Sequence, residues 1–266
     1  MQVQRIIYLS FEPKTVNAVT DLGKKPGAAG GHRFLCDDEN DYIVKFVDTG
    51  NKIAINELVT GSLALNLELP TPNKILVNIP QEVIEESPEL LGRGISSITH
   101  IGSKGLPDIY GDFNKIKESQ IQDMTLTNTD ALYGITVFDN WICNKDRNNL
   151  GNNMVGLLPR NKIRYAAIDF SHCFLDQNWT AEILNTHVDL RDLMSNFPFI
   201  KNKISNTECF EPWIKKIETF EESKINSILG SIPTSWNFVE NEQAAMLNFL
   251  KSRRNIIRDI INTLEA

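Results

Sequence analysis

Phe138-Asp-Asn-Trp-Ile-Cys-Asn-Lys-Asp-Arg-Asn-Asn-Leu-Gly-Asn-Asn-Met-Val155 is the stretch on which the reading of this chain turns. It runs from an apolar helix end to an apolar strand and carries two acids, one arginine and six asparagines, at 140, 144, 148, 149, 152 and 153. A connecting loop rarely needs so many side-chain amides. Shortly after it, Tyr165-Ala-Ala-Ile-Asp-Phe-Ser-His172 reads as a short buried strand running into an acid. Asp146 and Asp169 are 23 residues apart through a strand pair, and a hairpin of that length can bring Asp146, an asparagine near 152 and Asp169 into one pocket. Such a trio suits magnesium-dependent phosphoryl transfer. One carboxylate takes the acceptor's proton, while the amide oxygen and the other carboxylate hold hard Mg2+ ions against nucleotide phosphates.

Upstream, Lys45 stands among Tyr42, Ile43, Val44, Phe46 and Val47 in a segment rich in β-branched and aromatic residues, which reads as a strand over 41–47. A lone charge there needs a partner. Glu57, 12 residues later on the following helix, is the natural one. Strand lysine to helix glutamate is the pair that positions phosphates in kinases. Read singly, Lys45 is an edge-strand lysine and Glu57 a solvated helix charge; together they favour the phosphate role. The loop Gly23-Lys-Lys-Pro-Gly-Ala-Ala-Gly-Gly31 is either a phosphate cradle or a plain turn.

Around these points the first third reads as strands, at 5–9, 33–36 and 41–47, with a hairpin turning at Asp37-Asp-Glu-Asn-Asp41. A helix is predicted from Lys52 to about Leu67, with Ala54, Leu58, Gly61 and Leu65 on one stripe and Pro70 and Pro72 closing it. Residues 74–79 return to strand, 81–128 are mixed and polar, and the chain turns helical after 129, interrupted by strands near 153–158 and 163–168. Glu240 to Leu264 reads as a long amphipathic helix with Ala244, Leu247, Leu250, Ile257 and Ile261 on its apolar face. Strands first and helices after give an α+β, two-lobed architecture, with a strand-rich lobe at 1–105 and a mainly helical one at 106–266.

The 266 residues are 41% apolar and 23% charged, enough for a sizeable core, and 27 Lys and Arg against 34 Asp and Glu leave a net charge of −7. That balance disfavours broad binding to nucleic acid, and Lys251-Ser-Arg-Arg254 reads as a solvated helix face. Cys36, Cys143, Cys173 and Cys209 form no CxxC pair and read as reduced, buried thiols. No run approaches the ~18 apolar residues of a membrane span, and the start lacks a signal-peptide pattern. The expected location is cytoplasmic. Trp141, Trp213 and Trp236 are predicted core residues, and His172 a structural histidine behind Asp169.

These pieces, in order, resemble the HipA-like kinase domain family, distant relatives of protein kinases and phosphatidylinositol kinases. The matching segments are Tyr42-Ile-Val-Lys-Phe46, Asn56-Glu-Leu58 with Leu69-Pro-Thr-Pro72, Ile101-Gly-Ser103, Phe138 to Arg147, and Ile168-Asp-Phe-Ser-His172. Ile232-Pro-Thr-Ser-Trp236 and Leu247-Asn-Phe-Leu-Lys-Ser-Arg-Arg254 complete them. The resemblance implies a two-lobed kinase fold using ATP and Mg2+. Lys45, held by Glu57, would bind the α- and β-phosphates under a loop containing Gly27, Gly30 and Gly31. Asp146 would be the catalytic base, with Arg147 supporting its loop or facing phosphate. Asn152 or Asn153 would bind metal, the loop being a residue longer than the family's usual form, and Asp169 would bind metal in the Asp-Phe-Gly position. Here Ser171 replaces that glycine, and the Gly27–Gly31 loop offers no Ser or Thr for the self-phosphorylation seen in some relatives. The acceptor implied is a Ser or Thr hydroxyl of a protein, with a toxin-like or regulatory role and a partner protein encoded nearby. The usual architecture also has an added N-terminal subdomain, for which this chain leaves little room. The other readings are a small-molecule or lipid-headgroup kinase, and a nucleotide-binding pseudokinase or adaptor.

Overall fold

A computed structural model describes residues 12–24, 31–48, 50–105, 110–112, 125–147, 153–188 and 207–263. Five strands close into a barrel in the order β1-β2-β3-β5-β4: β1 (Thr15–Lys24), β2 (His32–Cys36), β3 (Asp41–Lys45), β4 (Lys74–Asn78) and β5 (Thr99–Lys104). The strand-rich half expected from the sequence is thus a barrel, closed where Thr15–Asn17 of β1 pair in parallel with Leu76–Asn78 of β4. Closure leaves no open sheet edge. The hairpin turn between β2 and β3 falls on the predicted acidic segment, with Leu35 opposite Asp41. β1 is absent from the sequence reading, because only Val16 and Ala18 of its ten residues are buried and apolar, too few to announce a strand. The predicted strand at 5–9 lies outside the described residues.

Period-two alternation sorts the barrel's side chains. Phe34, Tyr42, Val44, Ile75 and Val77 point inward and form a small core. Gly102 on β5 has no Cβ because one would sit 2.6 Å from Val77 and 3.1 Å from Ile75. Lys45, Lys74, Leu76, Ile101 and Ser103 fall on the alternate positions, outside the barrel, where α1 (Ile53–Asn66) lies.

α1 is buried on every side from Ala54 to Ala64, rather than on one stripe as the sequence suggested. Its core joins the barrel's outer residues Leu76 and Ile101 to the later helices. It stops before the prolines: Glu68 takes a left-handed φ of 62°, and Glu68 N–H and Leu69 N–H donate to the Leu65 and Ala64 carbonyls. That is a Schellman turn. Two short helices, α2 (Gln81–Glu85) and α3 (Pro88–Gly92), lie between β4 and β5.

A second sheet, in the order β6-β8-β9-β7, comprises β6 (Tyr110–Asp112), β7 (Thr125–Leu126), β8 (Asn153–Leu158) and β9 (Lys162–Ala167). Among the described residues the later helices are α4 (Thr129–Trp141), α5 (Ala181–Thr186), α6 (Glu211–Glu218), α7 (Glu222–Gly230) and α8 (Glu240–Asn262). Gly134 lets α4 press against Trp213, whose ring a Cβ would meet at 2.6 Å. Trp141, Trp213 and Trp236 are buried, as predicted. Cys36, Cys143 and Cys173 are buried free thiols, whereas Cys209 is only partly covered.

α8 buries Ala245, Met246, Phe249, Leu250, Arg253, Ile257, Ile260 and Ile261, so the stripe is rotated from the predicted one and Ala244 is exposed. The expected solvated face at 251–254 is also corrected. Arg253 is fully buried and caps α4, donating to the carbonyls of Trp141 (2.9 Å), Asn140 and Val188 (2.9 Å). Trp141 Nε1–H answers with a bond to the Leu250 carbonyl at 2.9 Å. Orphan carbonyls at a helix end and a buried cation satisfy each other. Among the described residues, no helix is long and apolar enough to cross a membrane.

Candidate active site

Lys45 is the last residue of β3, and its ammonium reaches three oxygens: Glu57 Oε1 at 2.6 Å, Asp169 Oδ1 at 2.7 Å and Ser171 Oγ at 2.8 Å. The strand lysine, the helix glutamate and the distant aspartate of the sequence reading therefore meet at one nitrogen. Glu57 is almost completely buried (1% exposed). Burial by itself would raise its pKa. The ammonium groups of Lys45 and Lys74 override that and hold the carboxyl well below the usual range. Burial likewise works against the charged Lys45, and Glu57 and Asp169 override it, holding its pKa above the ordinary value.

Lys74 is one residue that sequence reasoning missed. It opens β4, pairs in register with Ser103 of β5, and lies outside the barrel beside α1. Its Nζ bonds Glu57 Oε2 and Ser103 Oγ, the latter at 2.8 Å. The stem crosses α1 at Gly61, one turn after Glu57, where a Cβ would stand 2.3 Å from Lys74 Cγ. A glycine four residues after the glutamate was the available signal, together with a lysine at the head of an apolar strand.

The Asp-Phe-Ser segment leaves β9 and folds back onto α1. Asp169 adopts a left-handed φ of 57°, uncommon for a residue with a Cβ. Phe170 N–H donates to Glu57 Oε1 at 3.0 Å. Its ring sits within 5.8 Å of the Lys74 ammonium and 5.2 Å of the Arg147 guanidinium. Ser171 accepts from Lys45 and donates to Asp169 Oδ1, so the serine that replaces the expected glycine is part of the ion network. Asn56, beside Glu57, donates to the carbonyls of Ser171 (2.7 Å) and Cys173 (3.1 Å) and accepts from Trp179 Nε1–H at 2.8 Å. His172, expected as a structural histidine, is partly exposed, with its Nδ1 3.4 Å from Asp176.

After α4 the chain turns through Cys143, at φ 51°, into the asparagine-rich loop. Asn144 Nδ2 donates to Asp139 Oδ1 at 2.9 Å, and its Oδ1 accepts the Asp146 N–H at 3.1 Å. Asp146 is half-buried. Arg147 is buried and clamps the loop: Nε to Asp139 Oδ2 (2.8 Å), NH2 to Asp139 Oδ1 (3.2 Å) and NH1 to the Ile168 carbonyl (2.7 Å). These bonds tie the loop to Asp139 on α4 and to Ile168, the residue after β9. The residue after Asp146 is thus bonded to the residue before Asp169. β8 begins at Asn153, opposite Ala167, two residues before Asp169. Gly31 is buried just before β2. Gly27, Gly30 and Asn152 lie outside the described residues, as does the Asn153 side chain.

The chain belongs to the HipA-like kinase family, whose sequence model matches residues 25–264. Family and fold together make it a phosphotransferase of the kinase class. In fold it is similar to the Helicobacter pylori proinflammatory kinase CtkA, with a TM-score of 0.63 at 15% identity over 96% of this chain and 98% of that one. It is also similar to the Golgi casein kinase with Mn and ADP bound, with a TM-score of 0.51 at 11% identity over 94% of this chain and 73% of that one. No curated protein sequence matches the chain.

Proposed function

We propose that the protein is an ATP- and Mg2+-dependent kinase that transfers the γ-phosphoryl group to a Ser or Thr hydroxyl of a protein. The observation that carries this reading is the meeting of Glu57, Asp169 and Ser171 at the Lys45 ammonium. We take the barrel and the helical half, dividing near residue 105, as two lobes with the nucleotide between them. The Golgi casein kinase, which shares the fold, was solved with Mn and ADP, which supports nucleotide and divalent metal here.

The residues fit a divalent cation. Asp169 presents one oxygen to Lys45 and Ser171, and no described residue hydrogen-bonds the other; a quarter of the side chain is exposed. Among the described residues no three His, Cys, Asp or Glu side chains are grouped so as to hold a metal ion by themselves. The donors would be Asp169, the amide oxygen of Asn152 or Asn153, and the phosphates, a hard oxygen set of the kind magnesium takes. When bound, the metal neutralises charge on the transferring phosphoryl group.

In this reading Lys45 engages the α- and β-phosphates while Glu57 fixes its direction. Asp146 orients the acceptor hydroxyl and receives its proton. The bond from the γ-phosphorus to the β-bridging oxygen breaks as the bond to the acceptor oxygen forms, and ADP leaves with the electron pair. Arg147 acts through position, holding the loop of Asp146 to the strand end of Asp169. Catalysis of this kind rests on placement and charge, with little covalent chemistry by the protein.

The test is transfer of labelled γ-phosphate from Mg-ATP to a pool of cell proteins, wild type against Asp146→Asn. Label on protein that the variant loses, with ATP binding kept, is the expected result. Equal labelling by both would remove Asp146 from its role. Label on small molecules or lipid alone would move the acceptor to those classes.

A further inference from the structure

We propose that Lys74 is an electrostatic positioning residue that neutralises Glu57 from behind, so that the charge of Lys45 remains available to the phosphates of the nucleotide. This rests on the nucleotide-site reading above and adds to it a residue that takes no direct part in the transfer.

Lys45, whose ammonium is shared by two carboxylates, has a problem that a single lysine cannot solve. With Glu57 and Asp169 both ionised, one cation faces two anions, and a further polyanion such as ATP meets net negative charge. Lys74 brings the group of four to balance. It is as fully placed as a side chain can be: 4% exposed, bonded to the Glu57 oxygen that Lys45 does not use, and held by Ser103. The two lysines reach Glu57 from separate strands, β3 and β4, and each uses its own carboxylate oxygen. Lys74 therefore does not compete with Lys45 for geometry and contributes charge. Lys74 and Glu57 are themselves nearly closed to water, and a unit charge so placed acts strongly on a polyanion bound nearby.

The fold makes room for this cation at Gly61, where any Cβ would collide with the lysine stem. Phe170, one residue after Asp169, covers the ammonium from another side and keeps it from solvent. A lysine that served packing alone would need neither a missing side chain on the facing helix nor a carboxylate at its tip. Its hydrocarbon stem alone would fill the space.

Lys74→Met keeps the length and removes the charge. Affinities for Mg-ATP and for adenosine, measured by titration calorimetry on wild type and variant, separate charge from shape because adenosine carries no phosphate. The expected result is roughly a tenfold loss for Mg-ATP with adenosine changed less than about twofold. Gly61→Ala, which pushes the Lys74 stem aside, is expected to show the same split, and supplies the test if the methionine variant does not fold. Equal losses for the two ligands, or no loss for Mg-ATP, would overturn the proposal. Failure of the wild type to bind Mg-ATP at all would overturn the nucleotide-site reading itself, and is read from the wild-type titration alone.

Discussion

At the scale of single residues, the buried cations decide most. Arg147 has no water to fall back on: Asp139 and the Ile168 carbonyl take its guanidinium, and removing it strands a carboxylate that is 1% exposed. Breaking a buried pair by deleting one partner costs about 3–5 kcal/mol. Arg147→Ala is therefore expected to lower unfolding stability by that order in denaturant titrations. A loss under about 1 kcal/mol would mean that the loop stands without its clamp. The meeting of Lys45, Glu57 and Asp169 was legible in sequence because each is a charge in an apolar setting or beside one. Lys74 was not, since a lysine at the head of a strand is ordinary until the glycine across from it is seen to make way. Asp139 and Asn144 were hidden differently: they stood inside a crowd of polar residues in which sequence offers no way to tell loop builders from ligands.

At the scale of elements, β5 is pinned to the chain beyond β3 by a histidine. Val47 N–H donates to His100 Nδ1 at 3.0 Å, so the proton sits on Nε2, which bonds the Ser96 carbonyl at 3.0 Å. Burial pushes the His100 pKa down to about 4, against a smaller opposing pull from the Ser96 carbonyl. The unfolded chain binds that proton near pH 6.5 and the native chain only near 4, so protonation favours unfolding. The contribution of neutral His100 is complete above about pH 6.5 and is lost as the pH falls toward 4, amounting to about 2 kcal/mol by pH 5. Urea midpoints should drop between pH 7 and pH 5, and His100→Asn, which keeps an acceptor for Val47, should flatten that slope. An unchanged slope in the variant would place the acid sensitivity elsewhere. Element boundaries followed the same logic of visibility. The helix of Glu57 and the strand pair around 153–167 announced themselves by apolar content, whereas β1, with two buried apolar residues in ten, needed its neighbours to be recognised.

At the scale of the molecule, α1 belongs to both halves. Its core is continuous with Leu76 and Ile101 from the barrel and with the helices that follow, and Asn56 and Glu57 bond directly to the Asp-Phe-Ser segment. Only one apolar stripe was legible for this helix, because composition along a helix cannot say how many neighbours will pack on it. Being buried on every side, α1 fixes Glu57 relative to Asp169 as part of the fold. In the proposed function these two carboxylates and Lys45 form a metal-dependent nucleotide site. Asp169→Asn tests it most directly, because asparagine tolerates the left-handed backbone at 169 while removing the charge. ATP affinity is to be measured with Mg2+ and with EDTA, on wild type and variant, alongside the melting temperature. The account predicts that Mg2+ strengthens ATP binding to the wild type at least about tenfold, a difference of ~1.4 kcal/mol, and that the variant loses this gain while its melting temperature stays within a few degrees. A variant that keeps the full Mg2+ dependence would contradict it.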